Sequence, residues 1–415
     1  MPPVQKGFAR GMPVAVSFAL PPAASSAASS CICSASSSEF AACRVSKRLS
    51  RVSMEQLRNY AVARSLFAPR DLEASVRTLG FVQLDPIRAP ARAQDLILRH
   101  RVGGYRAGDL EKHYPSLPFS EEHLHVYGVL PRDSLRLLHP RPVRDPWHVE
   151  REHPRLAKRI LAHIGKHGPT HPRELQKALG MARVINGWGG ESIATTRMLE
   201  VLHYRGHLRI ARRDKGVKVY ELAHPPLKPL AAKERVTKLL ELVLNLYAPL
   251  PERSLRELAA IVTRTSLPGA HGAKAMERLI EGDRVRHAVV DGVAYVWPAS
   301  EEVEVEPHDE VRLLAPFDPI VWDRRRFELF WGWAYRFEAY TPPAKRRLGY
   351  YALPLLWRDA VIGWANAALV GGALEVETGF TAKRPREAAF RRELDAEIQR
   401  MSTFLGARVG KIVAR

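Results

Sequence analysis

Arg284-Val285-Arg286-His287-Ala288-Val289-Val290-Asp291-Gly292-Val293-Ala294-Tyr295-Val296-Trp297 is the stretch that decides the fold. Two runs rich in β-branched and aromatic residues flank Asp291-Gly292, a dipeptide suited to the positive-φ positions of a two-residue hairpin turn. Helical patterns precede it at 233–247, 255–261 and 273–280. Three helices followed by a two-stranded hairpin is the order of a winged helix-turn-helix, a DNA-binding form of that motif. The same order occurs once before. Helical stretches at 155–166, at 172–179 and around Met198, Leu199, Val201 and Leu202 lead, after Gly206, into a hairpin at 207–222 that turns at Asp214-Lys215-Gly216. Residues 150–227 and 231–298 therefore read as two copies of one unit.

Outward from this pair, an acidic connector at 301–310 leads to a β-rich module at 311–415. Its expected strands are 326–339, 348–356, 360–369 and 373–378, followed by a terminal helix at 388–404. Trp331, Trp333, Tyr335 and Phe337 alternate with small or charged residues, and Tyr340 follows, which is the pattern of a strand core. Upstream, residues 54–149 read as a helical, winged-helix-like module. One helix begins near Met54, and a second spans 72–79 between an Asp71 cap and Gly80. Further helical segments are expected at 92–100 and 120–130, and a proline-rich run at 139–146 closes the module. Residues 1–52 are basic, rich in Ala and Ser, with Glu39 as their one acidic residue. They lack the apolar density to fold and are expected to be disordered, as a targeting peptide or as sequence ahead of a true start at Met54. The expected class is thus α+β: tandem winged helices followed by a β-rich C-terminal domain.

In a chain of 415 residues, 64 Lys and Arg outnumber 44 Asp and Glu, a formal net charge of +20. That excess calls for a polyanionic partner, nucleic acid first and an acidic membrane surface second. Apolar runs of about 18 residues are missing, so no spanning helix is expected. Cys31, Cys33 and Cys43 all precede Met54. The rest of the chain therefore holds no disulfide, thiolate zinc site or iron–sulfur cluster, and a reducing compartment is the natural setting. In the first hairpin Arg209, Arg212, Arg213, Lys215 and Lys218 either meet phosphates or form a solvated basic face. The second, with Arg284 and Arg286, is more architectural. Lys345-Arg346-Arg347 is a further candidate for the phosphate backbone.

The chemistry is placed by Phe81-Val82-Gln83-Leu84-Asp85-Pro86-Ile87. In an extended segment residues two apart share a side, so Gln83 and Asp85 face one way and Val82 and Leu84 the other. A carboxylate beside a carboxamide can hold one water between them. The plain alternative is that Asp85 bonds neighbouring backbone ahead of Pro86. His123 and His125 are too few, without cysteine, to hold a metal.

Gln83-Leu84-Asp85 is followed by Arg92 and by His123-Leu124-His125 ahead of Pro131. Two longer motifs come late: 313–323 (LLAPFDPIVWD) and 342–354 (PPAKRRLGYYALP). From Met54 to its end the chain resembles the YcaQ/AlkZ-type family of crosslink-repair DNA glycosylases, in the Gln-apolar-Asp form of its signature. The resemblance implies hydrolysis of the N-glycosidic bond of alkylated, N7-substituted or crosslinked purines in double-stranded DNA, by a cytoplasmic monomer without metal or cofactor. It implies Asp85 as base and Gln83 as the residue that positions water. Arg92, His125, Arg212, Arg213, Lys215, Lys345, Arg346 and Arg347 are the expected DNA contacts, with a structural role open for His125. No motif marks a nucleophilic lysine, so a monofunctional hydrolase is expected. Where relatives carry a charged Gly-Arg-x-Asp-x-Lys pattern, this chain reads Gly363-Trp364-Ala365-Asn366-Ala367-Ala368. The rival classes are a non-catalytic winged-helix regulator and a DNA-bridging protein; neither needs Gln83 and Asp85 on one face.

Overall fold

The structure, a computed structural model, describes residues 52–141, 145–186, 189–223, 230–267, 272–306 and 308–414. Of the segment expected to be disordered, residues 1–51 lie outside the described residues, as do residues 142–144 of the proline-rich run. The first helix, Met54–Ser65, opens with a capping box: Ser53 Oγ accepts from the Gln56 amide (3.1 Å), and Gln56 Oε1 accepts from the Ser53 amide (2.8 Å). This satisfies two of the donors that a helix start leaves free. Asp71 caps Leu72–Leu79 through the Ala74 amide, and Gly80 ends that helix at φ +74°. The chain then enters the short strand Val82–Gln83, which pairs antiparallel with Gly128 and Val129.

Its partner corrects the helix expected at 120–130. Phe119–His123 and Tyr127–Pro131 form an antiparallel hairpin. Local propensity is overridden by tertiary pairing. Glu121 and Glu122, each under a twentieth exposed, are held in strand by basic residues from distant elements, Arg213 on one and Arg141 with His139 on the other. Gly128 is required by contact: a Cβ there would lie 2.2 Å from Phe81 Cζ and 2.5 Å from the Val82 carbonyl oxygen.

Downstream, helices Leu156–His167, Pro172–Leu179 and Ala194–Tyr204 precede the hairpin Leu208–Asp214 and Val217–Leu222. A small ribbon, Arg183–Ile185 with Glu191–Ile193, was not evident from sequence. Helices Ala232–Tyr247, Glu252–Ser266 and Gly272–Glu281 precede the hairpin Val285–Val290 and Val293–Pro298, which Leu250–Pro251 extends to three strands. Asp291 (φ +49°) and Gly292 (φ +76°) make its turn as their composition suggests.

The C-terminal module is a five-stranded sheet in the order Val311–Leu313, Leu353–Trp357, Ala360–Val370, Ala373–Phe380 and Arg408–Ala414, the last pairing parallel. Helix Ala388–Leu405 packs Phe390 against Trp357 and Phe380. Residues 326–339 are not a strand. Asp323 caps helix Arg324–Trp331 by accepting from the Arg325 (3.0 Å) and Arg326 (3.2 Å) amides, and Gly332 ends it in the left-handed region. The aromatic residues still make a core, but from a helix and the irregular segment after it: Phe327 meets Trp331, Trp333 and Tyr335 at centroid distances of 4.7, 5.7 and 5.5 Å. No helix among the described residues is long and apolar enough to cross a membrane.

The run Arg99-His100-Arg101 joins the first module to the last. Arg101 donates to both carboxylate oxygens of Asp318 at 2.8 and 2.9 Å, and neither side chain is exposed. Arg99 pairs with buried Glu397, and His100 Nε2 bonds the Leu313 carbonyl at 3.0 Å. A bidentate guanidinium–carboxylate pair fixes orientation as well as distance. Here it fixes Asp318, and with it the short helix Pro319–Trp322, against the first module.

Candidate active site

Gln83 and Asp85 stand where the first module meets the last. Gln83 is half-buried. Its Oε1 accepts a hydrogen bond from Trp322 Nε1 at 3.1 Å. An indole nitrogen only donates, so this bond orients the amide: Oε1 is taken, and the two hydrogens of Nε2 point elsewhere. Trp322 is itself held. It stacks on Tyr247 (4.7 Å, 25°) and meets His125 edge-on (4.7 Å, 86°). It ends the helix that Asp318 caps through the Ile320 amide, with Asp318 anchored by Arg101.

Asp85 is 5 % exposed. Its Oδ1 accepts from the Ile87 amide at 2.9 Å, and its own amide donates to Gln94 Oε1 at 3.3 Å. The capping role open from sequence is therefore real for one oxygen. Among the described residues Oδ2 makes no hydrogen bond, yet it is not sealed from solvent. Burial raises the Asp85 pKa above the ordinary carboxylate value, and the Ile87 bond opposes that shift. The Asp85 charge acts on the hydroxyls of Tyr340 and Tyr351, both in the C-terminal module.

His125 closes the far side of Trp322. It shares a 2.6 Å hydrogen bond with the Tyr247 hydroxyl and lies 5.3 Å from the Phe81 ring. Burial lowers its pKa to about 3, so at neutral pH it carries no charge to offer a phosphate. Its partner in sequence, His123, packs on Tyr127 instead (4.7 Å). Among the described residues no group of three or more His, Cys, Asp or Glu side chains converges as a metal site does.

The expected DNA contacts divide. Arg213 donates to both oxygens of Glu121 (2.7 and 2.5 Å), and Arg92 is paired with Glu111 and mostly buried. Both are committed inside the protein. Lys218, from the same basic hairpin, lies 3.8 Å over the Tyr127 ring. Arg212 is half-exposed beside Asp214 at 3.0 Å, and Lys215 is exposed at the hairpin turn. Lys345 and Arg347 are exposed, while Arg346 donates to the Thr341 carbonyl (2.8 Å) and lies 5.0 Å over the Tyr350 ring.

This basic loop is rigidly built. The Glu338 carboxylate accepts from the amides of Arg347, Leu348 and Gly349, and Asn366 Nδ2 donates to the Leu348 carbonyl at 2.7 Å. Asn366, in the segment that departs from the expected charged pattern, therefore braces the loop. Tyr340 (71 % exposed) and Tyr350 (43 %) stand at its two ends. Sequence reading missed Trp322 and Tyr247 as residues that build the surroundings of Gln83. Trp322 lies in a quoted motif, but its bond to Gln83 spans 239 positions and leaves no local trace. It also missed an open cavity of about 470 Å³ lined by Lys383, Arg384, Pro385, Arg386 and Arg391, none of them part of the Gln83–Asp85 site.

The model of the AlkZ-like family, DNA glycosylase AlkZ-like, matches residues 76–404. Among solved structures, the Streptomyces sahachiroi DNA glycosylase AlkZ superposes with a TM-score of 0.58 at 15 % identity, covering 88 % of this chain and 100 % of that one. The superposition extends the likeness to the fold, and the family match takes in Gln83, Asp85, Trp322 and Tyr351 together: the chain belongs to the AlkZ-like DNA glycosylases.

Proposed function

We propose that this glycosylase is a monofunctional hydrolase of N7-alkylated or crosslinked purine nucleotides in double-stranded DNA, with Asp85 as general base and Gln83 as the residue that positions water. N7 alkylation leaves the purine cationic, so the leaving base needs no acid catalyst. What remains is to stabilise a cationic sugar and to aim a water at C1′. One carboxylate serves both ends, as an anion near the cation and as a base for the water. The need of ordinary glycosidases for two acids is relaxed by the charge already on the base.

The observation that carries this reading is the pairing of Asp85, one oxygen bonded and one free, with an amide whose orientation Trp322 dictates. Partial desolvation makes the carboxylate a stronger base than a solvated one. The two units of three helices and a hairpin, at 156–222 and 232–298, are read as winged helices that hold the duplex. Arg212, Lys215, Lys345, Arg346 and Arg347 supply phosphate contacts. Arg92, Arg213 and His125 act behind that surface, as supports.

Single-turnover base excision on a defined N7-alkyl duplex tests the assignment. Asp85→Asn keeps the shape and removes both charge and base. Excision is expected to fall about 10²- to 10⁴-fold, with DNA binding equal or slightly tighter. Excision at the wild-type rate by folded Asp85→Asn refutes Asp85 as the base.

A further inference from the structure

We propose that Tyr340 is a base-stacking residue: its ring enters the gap that a displaced or missing base leaves in the duplex, and stacks on the neighbouring base. This role requires only that the chain acts on damaged DNA, whichever residue is the base. Tyr340, at 71 %, is the most exposed large apolar side chain among the described residues. A lone exposed tyrosine needs no explanation, but exposed aromatic rings are not scattered over this protein. Among the described residues the exposed Phe, Tyr and Trp side chains are Tyr340 and Tyr350, and one loop carries both. Lys345 and Arg347 stand exposed on the same loop. Aromatic rings among cations are what single-stranded or opened nucleic acid asks of a surface: the cations hold the backbone and the rings stack on bases.

Tyr340 is presented by a rigid frame. It stands in a turn closed by the Thr341 amide, which donates to the Glu338 carbonyl at 2.9 Å. Pro342 and Pro343 follow, each with a fixed φ. The Glu338 carboxylate ties down the returning chain, accepting from the Arg347, Leu348 and Gly349 amides at 3.0, 2.8 and 3.2 Å. Arg346 crosses the loop to the Thr341 carbonyl at 2.8 Å. Little backbone freedom is left to lose when the ring meets a ligand, which lowers the cost of binding.

The turn is also built on the segment that orients Gln83. Behind Tyr340, the Phe337 ring meets it edge-on at 5.9 Å and meets Phe317 at 5.2 Å. Phe317 directly precedes Asp318, whose helix ends at Trp322 and so at the bond to Gln83 Oε1. Two ring contacts and one short helix thus connect the exposed tyrosine to the candidate site. In an intact duplex both faces of a base are covered by its neighbours. A side chain can stack only where a base is displaced or gone, and the contact then offsets part of the cost of unstacking. Every base has a π face, so such a contact tolerates any sequence, as an enzyme that meets damage in any context requires.

Binding to two duplexes of one sequence tests this, one intact and one with a tetrahydrofuran abasic analogue at its centre. Wild type should prefer the abasic duplex. Tyr340→Ala should bind that duplex more weakly, on the order of 10-fold, the scale of one stacked base, and bind the intact duplex as wild type does. Tyr340→Phe keeps the ring and should keep the preference. A 2-aminopurine beside the analogue should fluoresce less in complexes with wild type or Tyr340→Phe than with Tyr340→Ala. Four results overturn the proposal: no preference in wild type; wild-type binding by Tyr340→Ala; an equal loss on both duplexes, which marks a groove or backbone contact; or a Tyr340→Phe as weak as Tyr340→Ala, which marks a hydroxyl contact. The assay reads binding of a product-like duplex, so its outcome does not depend on Asp85 being the base. Asp85→Asn in the excision assay tests that reading separately.

Discussion

Gln83 and Asp85 show how much two neighbouring side chains can differ in what holds them. Asp85 is set by its own backbone, through Ile87, whereas Gln83 is set by an indole from the far end of the chain. Gln83→Ala should therefore be milder than Asp85→Asn, because the proposed base remains and a less ordered water still reaches it. Single-turnover rates should place it between wild type and Asp85→Asn, and the double variant should lose less than the product of the two losses. Burial also makes Asp85 a liability to the fold. Its folded pKa lies above its unfolded one, so the folded protein binds the extra proton between the two values, and stability falls as pH rises through that window. Asp85→Asn, which still accepts from Ile87, is expected to raise the Tm at neutral pH. The gain should vanish at pH values below the ordinary aspartate pKa. A lower neutral-pH Tm for the variant in thermal melts at matched ionic strength counts against this account.

Among the elements, the hairpin of Phe119–His123 and Tyr127–Pro131 decides where Gln83 sits, because Gly128 lies directly across from it. Gly128→Ala puts a methyl group on the Val82 carbonyl and the Phe81 ring, and backbone cannot yield as a flexible side chain does. We expect a loss of about 1–3 kcal/mol, the range of overpacking, together with a drop in excision beyond what unfolding explains. Denaturant melts beside single-turnover rates separate the two effects. The same hairpin shows why helix was expected there. Ser120-Glu121-Glu122-His123 has no apolar alternation, since its buried faces carry charge. That charge is tolerable only because Arg213, Arg141 and His139 arrive from other elements. Residues 324–331 err in the opposite direction. The aromatic alternation that begins at their end, Trp331, Trp333, Tyr335 and Phe337, imitates a strand, while Asp323 caps a helix.

The whole molecule joins its first and last modules through buried ions, with Arg101 on Asp318 and Arg99 on Glu397. Because Trp322 follows Asp318 by one helical turn, that junction and the orientation of Gln83 are one structural fact. At this scale the net charge of +20 also takes effect. Binding to lesion-free duplex should weaken steeply with salt, because phosphates neutralised by Lys and Arg release counterions. Neutralising Lys345, Arg346 and Arg347 together should flatten the slope of log affinity against log salt by about two to three. An unchanged slope in titrations from low to physiological salt removes that loop from the interface.

By itself the sequence determined the helix caps at Asp71 and Gly80, the turn at Asp291-Gly292, the strands expected at 360–369 and 373–378, which run on to Val370 and Phe380, and the candidacy of Gln83 and Asp85. Each is written in residues close together, where backbone preference and side-chain alternation act over a few positions. Tertiary structure alone decided the rest. It turned 119–131 into a hairpin, spent Arg92 and Arg213 on internal glutamates, and withdrew the charge from His125. It also brought Trp322 to the side of the chain that Gln83 faces. Desolvation and ion pairing depend on which groups meet across hundreds of positions, and no local pattern encodes that meeting.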